Sequence, residues 1–214
     1  MNFFSVNCAD KKGQMNISLV FGEKLNAEES HRLFLCESRH ESLTGIVHTG
    51  TKTSYDAVSN SCVVPTLYSE RFFKILEQIK ATGYRRVPVE LFTVSKEKIS
   101  GFSALCVEGR CGPIDWARST PFMAAPPVPH GKGMLSFRGI PIPIDSWDGS
   151  DFFTPGGTRN AFVTERIANA LSDAGLNNIS IEPLNERVSH LTDAKIIEVF
   201  GVENFYKWNN ASSI

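Results

Sequence analysis

A module that occurs twice constrains this chain more than any other feature. In the first copy a β-rich stretch, Cys62 to Tyr68, runs into Ser69-Glu70-Arg71, which opens a helix with Phe72, Phe73, Leu76 and Ile79 on one face. Ser69 is placed to cap the first turn, and Glu70 stands where the helix dipole favours an anion. Gly83 reads as the stop, and Val87-Pro88-Val89-Glu90-Leu91 alternates as a strand. In the second copy Ala161-Phe162-Val163 leads into Thr164-Glu165-Arg166. Ile167, Leu171 and Ala174 form the stripe, Gly175 the stop, and Ile179-Ser180-Ile181-Glu182 the strand. Glu90 and Glu182 each follow the second apolar position of their strand. With glycine aligned on glycine, the second helix reads three residues shorter than the first. The pattern predicts a weak internal duplication of a strand-helix-strand module, with Leu76 and Leu171 both buried. Cap, acid, stripe and glycine are also ordinary helix grammar, so coincidence stands beside duplication.

Around the two modules the elements are less regular. Asn16 to Phe21 and Leu43 to His48 suit strands, and Asn26 is placed to cap a helix from Ala27. Leu33 to Cys36 fits a helix or a strand. Gly50 to Asn60 is polar and turn-rich, which predicts a loop. Ile99 to Val107 and Gly112 to Ser119 read as paired strands, and Ser136 to Ile144 as an extended edge strand. Pro121 to Gly133 and Asp145 to Gly157 read as loops. Thr192 caps a short helix that ends at Gly201, followed by a tail carrying Phe205, Tyr206 and Trp208. Strand and helix signals in this order predict an α+β fold: a mixed, mainly antiparallel sheet with the helices packed on one side. The 214 residues suit a single domain, 1–214, divisible into halves 1–95 and 96–214.

Composition narrows the function classes. Hydrophobic residues make up 42% and charged residues 21%, which is ordinary for a folded domain. A formal net charge of −1 disfavours bulk attraction to nucleic acid or anionic lipid. No apolar run reaches the ~20 residues of a membrane span, and the N-terminal residues lack the basic and apolar regions of a signal peptide. Five cysteines at irregular spacing, Cys8, Cys36, Cys62, Cys106 and Cys111, do not form a disulfide framework, so the chain is expected in a reducing cytoplasm with its thiols free.

The motifs of common chemistries are missing. There is no Cys-x2-Cys, and Cys106 with Cys111 lacks a second ligand pair; His31, His40 and His48 match no ligand spacing. No cofactor or metal is therefore expected. Gly-x-Ser-x-Gly is absent, and Gly131-Lys132-Gly133 is too short for a phosphate loop. Acids flank a tryptophan at Asp115-Trp116 and at Asp145 to Asp151. Paired carboxylates of a glycosidase are one reading and loop-anchoring tryptophans another. A third is a protein-binding surface at Asp145, Trp147, Asp148, Asp151, Phe152 and Phe153, where acids meet aromatic anchors. The alternative for that loop is that Trp147 and Phe152 pin it to the core.

The second half also carries a resemblance. Gly112-Pro113-Ile114-Asp115-Trp116-Ala117-Arg118-Ser119 is followed by Ser150-Asp151-Phe152-Phe153. Then come Phe162-Val163-Thr164-Glu165-Arg166 and Gly175-Leu176-Asn177-Asn178-Ile179-Ser180-Ile181-Glu182-Pro183. Together they are similar to the predicted immunity proteins of bacterial polymorphic toxin systems, of the type first defined in myxobacteria. The similarity covers roughly residues 110 to 184. The chain departs from the pattern with Thr164 for a serine and Asn178 for a glycine, and it lacks the Cys-x-x-Cys-Gly knuckles of one such family. The resemblance implies a cytoplasmic, non-enzymatic protein that binds and neutralises a cognate toxin or effector, with no direct contact to nucleic acid or membrane. The alternatives are an enzyme with a dispersed site and an adaptor or chaperone for a secreted effector.

Overall fold

The computed structural model describes residues 1–9, 14–20, 27–50, 55–60, 65–125 and 133–211. The fold is α+β, with mixed and mostly antiparallel sheets. The strands are distributed over three sheets rather than one. Six of them close a barrel: β2 (Asn16–Val20), β3 (Leu43–Thr49), β6 (Tyr84–Thr93), β7 (Lys98–Val107), β5 (Leu67–Ser69) and β4 (Ala57–Asn60), in that order around the wall. Five form an open sheet in the order β13 (Ile179–Pro183), β1 (Phe3–Cys8), β12 (Phe162–Thr164), β11 (Phe152–Pro155) and β8 (Gly109–Cys111). The third sheet orders β14 (Val188–Ser189), β10 (Met134–Arg138) and β9 (Thr120–Ala124). Helices α4 (Asp193–Phe200) and α5 (Val202–Ala211) accompany it, with Phe137 stacked on Phe200 at 5.1 Å and Trp208 edge-on to both. Among the described residues no helix is long and apolar enough to cross a membrane.

The barrel and the open sheet are two copies of one design. In the first, β4 pairs with β5 through Ala57–Tyr68 and Val58–Leu67; in the second, β11 pairs with β12 through Phe152–Val163 and Phe153–Phe162. Every residue in the second set lies 95 positions beyond its counterpart. The helices keep the same register: α2 is Glu70–Gln78 and α3 is Glu165–Asp173, nine residues each. They are equal because α2 does not run to its glycine. Lys80 takes the left-handed conformation (φ 50°) and stops it, in the position Gly175 (φ 59°) holds for α3. Gly83 (φ 78°) corresponds instead to Asn178 (φ 53°), and Pro88 to Pro183. Glu90 and Glu182 are not equivalent. Aligning glycine on glycine therefore misplaced the register by three residues.

The first strand of each repeat is exchanged. In chain order β1 leads the first repeat and β7 the second. Yet β1 lies between β12 and β13, and β7 lies between β5 and β6. Phe3 faces Thr164 as Phe102 faces Ser69, and Cys8 faces Ile179 as Val107 faces Tyr84. The division at 95/96 falls in the turn of the β6–β7 hairpin, so it cuts through one barrel wall.

Helices α2 and α3 meet each other where the two copies join. Phe72, Phe73 and Leu76 share one core with Ile167, Ala168 and Leu171, together with Val6 from β1 and Val107 from β7. The barrel interior is a separate core built on Ile17, Leu19, Leu43, Leu67, Leu91 and Phe102.

The copies differ in closure. β3 bridges β2 and β6 in the barrel, antiparallel to one and parallel to the other. It follows α1 (Ala27–Phe34), which lies outside the repeated design. The second copy has no such bridge among its described residues. The predicted edge strand at 136–144 ends at Arg138, since Pro141 and Pro143 have no N–H to donate to a ladder. Residues 139–143 instead cross the open sheet as irregular chain and bury Ile140 and Ile142 against Phe3, Phe153 and Leu184.

Strands β4, β9 and β11 fall within stretches expected to be loops, and residues 112–119 form a 3-10 turn at Trp116–Arg118 rather than a strand. The predicted cap Asn26 lies outside the described residues. Leu76 is 0% and Leu171 1% exposed. Leu76→Ala and Leu171→Ala should each cost about 2–5 kcal/mol in urea unfolding.

Candidate functional site

Of the six residues predicted to face a partner, Asp151, Phe152 and Phe153 are buried. They do not form a surface, because β11 starts at Phe152 and both of its aromatic rings enter cores. Asp151 belongs to a clasp between the repeats. Its Oδ1 accepts from the Thr164 hydroxyl at 3.0 Å and from Arg166 Nε at 3.3 Å. Its Oδ2 accepts from the Thr82 backbone N–H at 2.9 Å, the Thr82 hydroxyl at 3.1 Å and Arg166. Arg166 also donates to the Ile79 carbonyl at 2.6 Å, just past the end of α2.

Asp56 repeats this arrangement 95 residues earlier. Its Oδ1 accepts from the Ser69 hydroxyl at 2.6 Å and its Oδ2 from the Asn177 backbone N–H at 2.7 Å, and Arg71 lies 3.6 Å away. Arg71 donates to the carbonyl of Ala174, just past the end of α3. Each Ser/Thr-Glu-Arg sequence thus binds its own aspartate and the end of the other helix. That role explains why these residues recur, and it places them in the scaffold.

The rest of the loop is braced rather than free. Trp147 is half-buried, edge-on to Phe3 at 5.2 Å, 5.8 Å from Phe153, and donates Nε1–H to the Ser150 carbonyl at 3.1 Å. Asp148 Oδ2 accepts from the Arg110 N–H at 2.7 Å, and Oδ1 accepts from the Ser150 N–H at 3.0 Å and from the Ser150 hydroxyl. Burial pushes the Asp148 carboxyl upward, but these donors and the Arg110 charge outweigh it and leave it below the usual carboxylate range. Asp145 stands exposed in the 3-10 turn Ile144–Ser146. The pinned-loop alternative thus describes Trp147 and Phe152. Trp116 likewise packs against the core beneath the open sheet.

Beside this loop lies a groove of about 360 Å³. It forms where the irregular 139–144 chain passes the start of β1 and the end of β13. Phe3, Ile142, Ile144 and Leu184 supply apolar walls, and Arg118 and Arg138 supply two cations. Arg138 is held over the Phe122 ring at 5.0 Å, which fixes its guanidinium at the rim. Ile144 is 52% exposed, a large aliphatic side chain in water at the edge of a cavity. No sequence motif marks this groove. Its residues come from four separate segments, and it lies where the second repeat, among its described residues, lacks a closing strand.

The described histidines and cysteines stand apart from it, and His130 lies outside the described residues. His40 contacts Glu29 at 3.0 Å, His48 contacts Ser18 at 2.8 Å and His190 contacts Ser136 at 3.0 Å. Cys111 donates to the Gly112 carbonyl at 3.1 Å, and burial pushes its thiol up to about 11. Cys62 lies outside the described residues. Among the described residues no group of three or more His, Cys, Asp or Glu side chains is gathered to hold a metal. Compared with protein-family models and with curated proteins, the chain matches none.

Two outcomes follow. Trp147→Ala with Asp148→Ala should lower the melting temperature by roughly 5–10 °C, read by circular dichroism, since it unpins a loop from the core. The second concerns acid. Burial raises the Asp151 carboxyl, but the Thr82 N–H, Arg166 and Thr164 together hold it below its ordinary value. A depressed folded-state value gives stability that is complete above the unfolded value of about 3.9 and is lost as pH falls through the folded one. Asp151→Asn should melt lower than the parent at pH 7 and should lose part of the parent's decline between about pH 4 and pH 2.

Proposed function

We propose that this protein is an immunity protein of the cytoplasm, which binds and neutralises a cognate secreted toxin through the Arg118–Arg138 groove. The observation that carries this reading is the groove itself: two guanidinium groups at the rim of an apolar trough, with Ile144 and Asp145 exposed on its margin. Among the described residues its lining carries no carboxylate, imidazole or thiol side chain; Asn2, Thr120 and Asn185 are its neutral polar groups, and its charged side chains donate to an anion. An aliphatic side chain flanked by carboxylates on the toxin would fill it. The resemblance of residues 110 to 184 to immunity proteins points the same way. Two of the residues that carry it, Asp151 and Arg166, clasp the two repeats of the scaffold on which this groove lies.

Charge guides the encounter and burial slows dissociation. Arg118→Glu with Arg138→Glu should therefore weaken binding to the toxin encoded beside this protein at least 100-fold, measured by calorimetry. The melting temperature should stay within about 2 °C, since both arginines are exposed. Cells co-expressing the toxin should lose protection in parallel. Unchanged affinity would remove the groove from the interface. Tight binding with the toxin still active would point to a chaperone or adaptor, and a turnover reaction lost in the double variant would point to an enzyme.

A further inference from the structure

The end of α1 carries a feature that neither the repeat nor the groove uses. The helix finishes with the Cys36 N–H bonded to the Leu33 carbonyl at 2.9 Å and the Glu37 N–H bonded to the Arg32 carbonyl at 2.8 Å. In such a termination the residue after the helix must be left-handed, and glycine is the usual occupant. Here it is Cys36, at φ 56°. A side chain in that conformation costs of order 1 kcal/mol, and strain held at one residue points to a use for its side chain.

The Cys36 thiol has a second one for a neighbour. It packs against the barrel core that contains the fully buried Cys106 of β7, and the two thiols interact. Arg85, paired with Cys106 across the β6–β7 ladder, reaches the same place and is anchored by donation to the Ser38 carbonyl at 2.8 Å. Glu108 is the opposing charge nearby. Cys36 itself is only partly buried, whereas Cys106 is closed off from solvent.

We propose that Cys36 and Cys106 form a peroxide-responsive dithiol, in which oxidation ties the end of α1 to barrel strand β7. The Cys36 thiolate attacks one peroxide oxygen. A sulfur–oxygen bond forms, the O–O bond breaks, and the departing hydroxide takes a proton to become water. Cys106 then gives up its proton and attacks the Cys36 sulfur. The sulfur–sulfur bond forms, the sulfur–oxygen bond breaks, and the second hydroxide leaves with that proton as water. Two thiols lose two electrons, and one peroxide is reduced to two waters.

The surroundings suit both roles. The Cys106 thiol and then Arg85 hold the Cys36 thiol below the ordinary cysteine value against the cost of burial. More of it is then thiolate at pH 7 than the few per cent of an ordinary cysteine. The neighbouring Cys36 thiolate and burial together push Cys106 upward. Oxidation of Cys36 removes that negative neighbour as Cys106 is called on to ionise.

The test uses purified reduced protein. Iodoacetamide at pH 7 should alkylate Cys36 about threefold to tenfold faster than Cys8, the lower nucleophilicity of a more acidic thiol trimming the gain in thiolate. One equivalent of hydrogen peroxide should then lower the intact mass by two hydrogens. A non-reducing tryptic map should join Leu33–Arg39 to Ile99–Arg110, each of which holds a single cysteine. Dithiothreitol should restore both peptides. In Cys106→Ala the same treatment should leave a sulfenic acid on Cys36 that dimedone traps. A Cys36 no faster than Cys8, or a cross-link that maps to any other cysteine, would overturn the proposal on the native protein alone, whether or not the variant folds.

Discussion

Two buried aspartates hold the molecule together as one unit. Each receives the hydroxyl and the guanidinium of its own Ser/Thr-Glu-Arg segment, and each also accepts the backbone N–H that follows the other repeat's helix. A carboxylate taken out of water is costly unless hydrogen bonds replace its hydration. Here the donors come from both repeats, so neither aspartate is satisfied unless the two copies are docked. The arginines add the reciprocal half by donating to carbonyls at the far end of the opposite helix, where the dipole favours a cation. Helix pairing, the shared α2–α3 core and the approach of the two sheets all rest on this arrangement.

The copies solve one local problem in two ways. At Gly83 an added Cβ would stand 2.2 Å from the Phe152 carbonyl oxygen, so the backbones approach with no room for a side chain. At the equivalent Asn178 the neighbouring chain is Ala57, and the amide side chain completes the pairing. Its Oδ1 accepts the Ala57 N–H at 3.0 Å, and its Nδ2 donates to the Ala57 carbonyl at 2.8 Å. The departure from glycine at this position is a hydrogen-bonding substitute for close backbone contact, and asparagine tolerates the left-handed conformation it requires.

Much of the architecture was legible where a local rule acts. The helices at 70–78 and 165–173, the Ser69 cap, their buried leucines and the α+β class follow from period, cap and stripe, whereas Thr164 sits at the cap position with its hydroxyl given to Asp151 instead. The register did not follow, because Lys80 in a left-handed turn leaves no compositional mark and the eye pairs glycine with glycine. Strands β4, β9 and β11 escaped notice for a related reason. They are short, and what fixes them is a partner far along the chain rather than their own alternation. The candidate surface at Asp145–Phe153 was half misread, because an acid beside two aromatics describes a buried clasp followed by a core strand as well as it describes an exposed anchor. The groove had no sequence signal except Pro141 and Pro143, which mark where a ladder cannot form.

The exchange of first strands has a consequence for the order of assembly. β1 leaves the ribosome first, yet its neighbours β12 and β13 begin at Phe162 and Ile179. At 5–20 residues per second, roughly 8–30 s of synthesis separate the strand from its partners. The barrel needs only β7 to complete its wall, so it can close while β1 is still waiting. Until β12 and β13 emerge, the nascent chain therefore carries an unpaired apolar strand beside a finished barrel. That strand is a hydrogen-bonding edge open to other chains. The exchange that locks the finished protein makes its birth the moment of greatest risk, and the growing chain depends on chaperones, or on speed, to keep that first strand single.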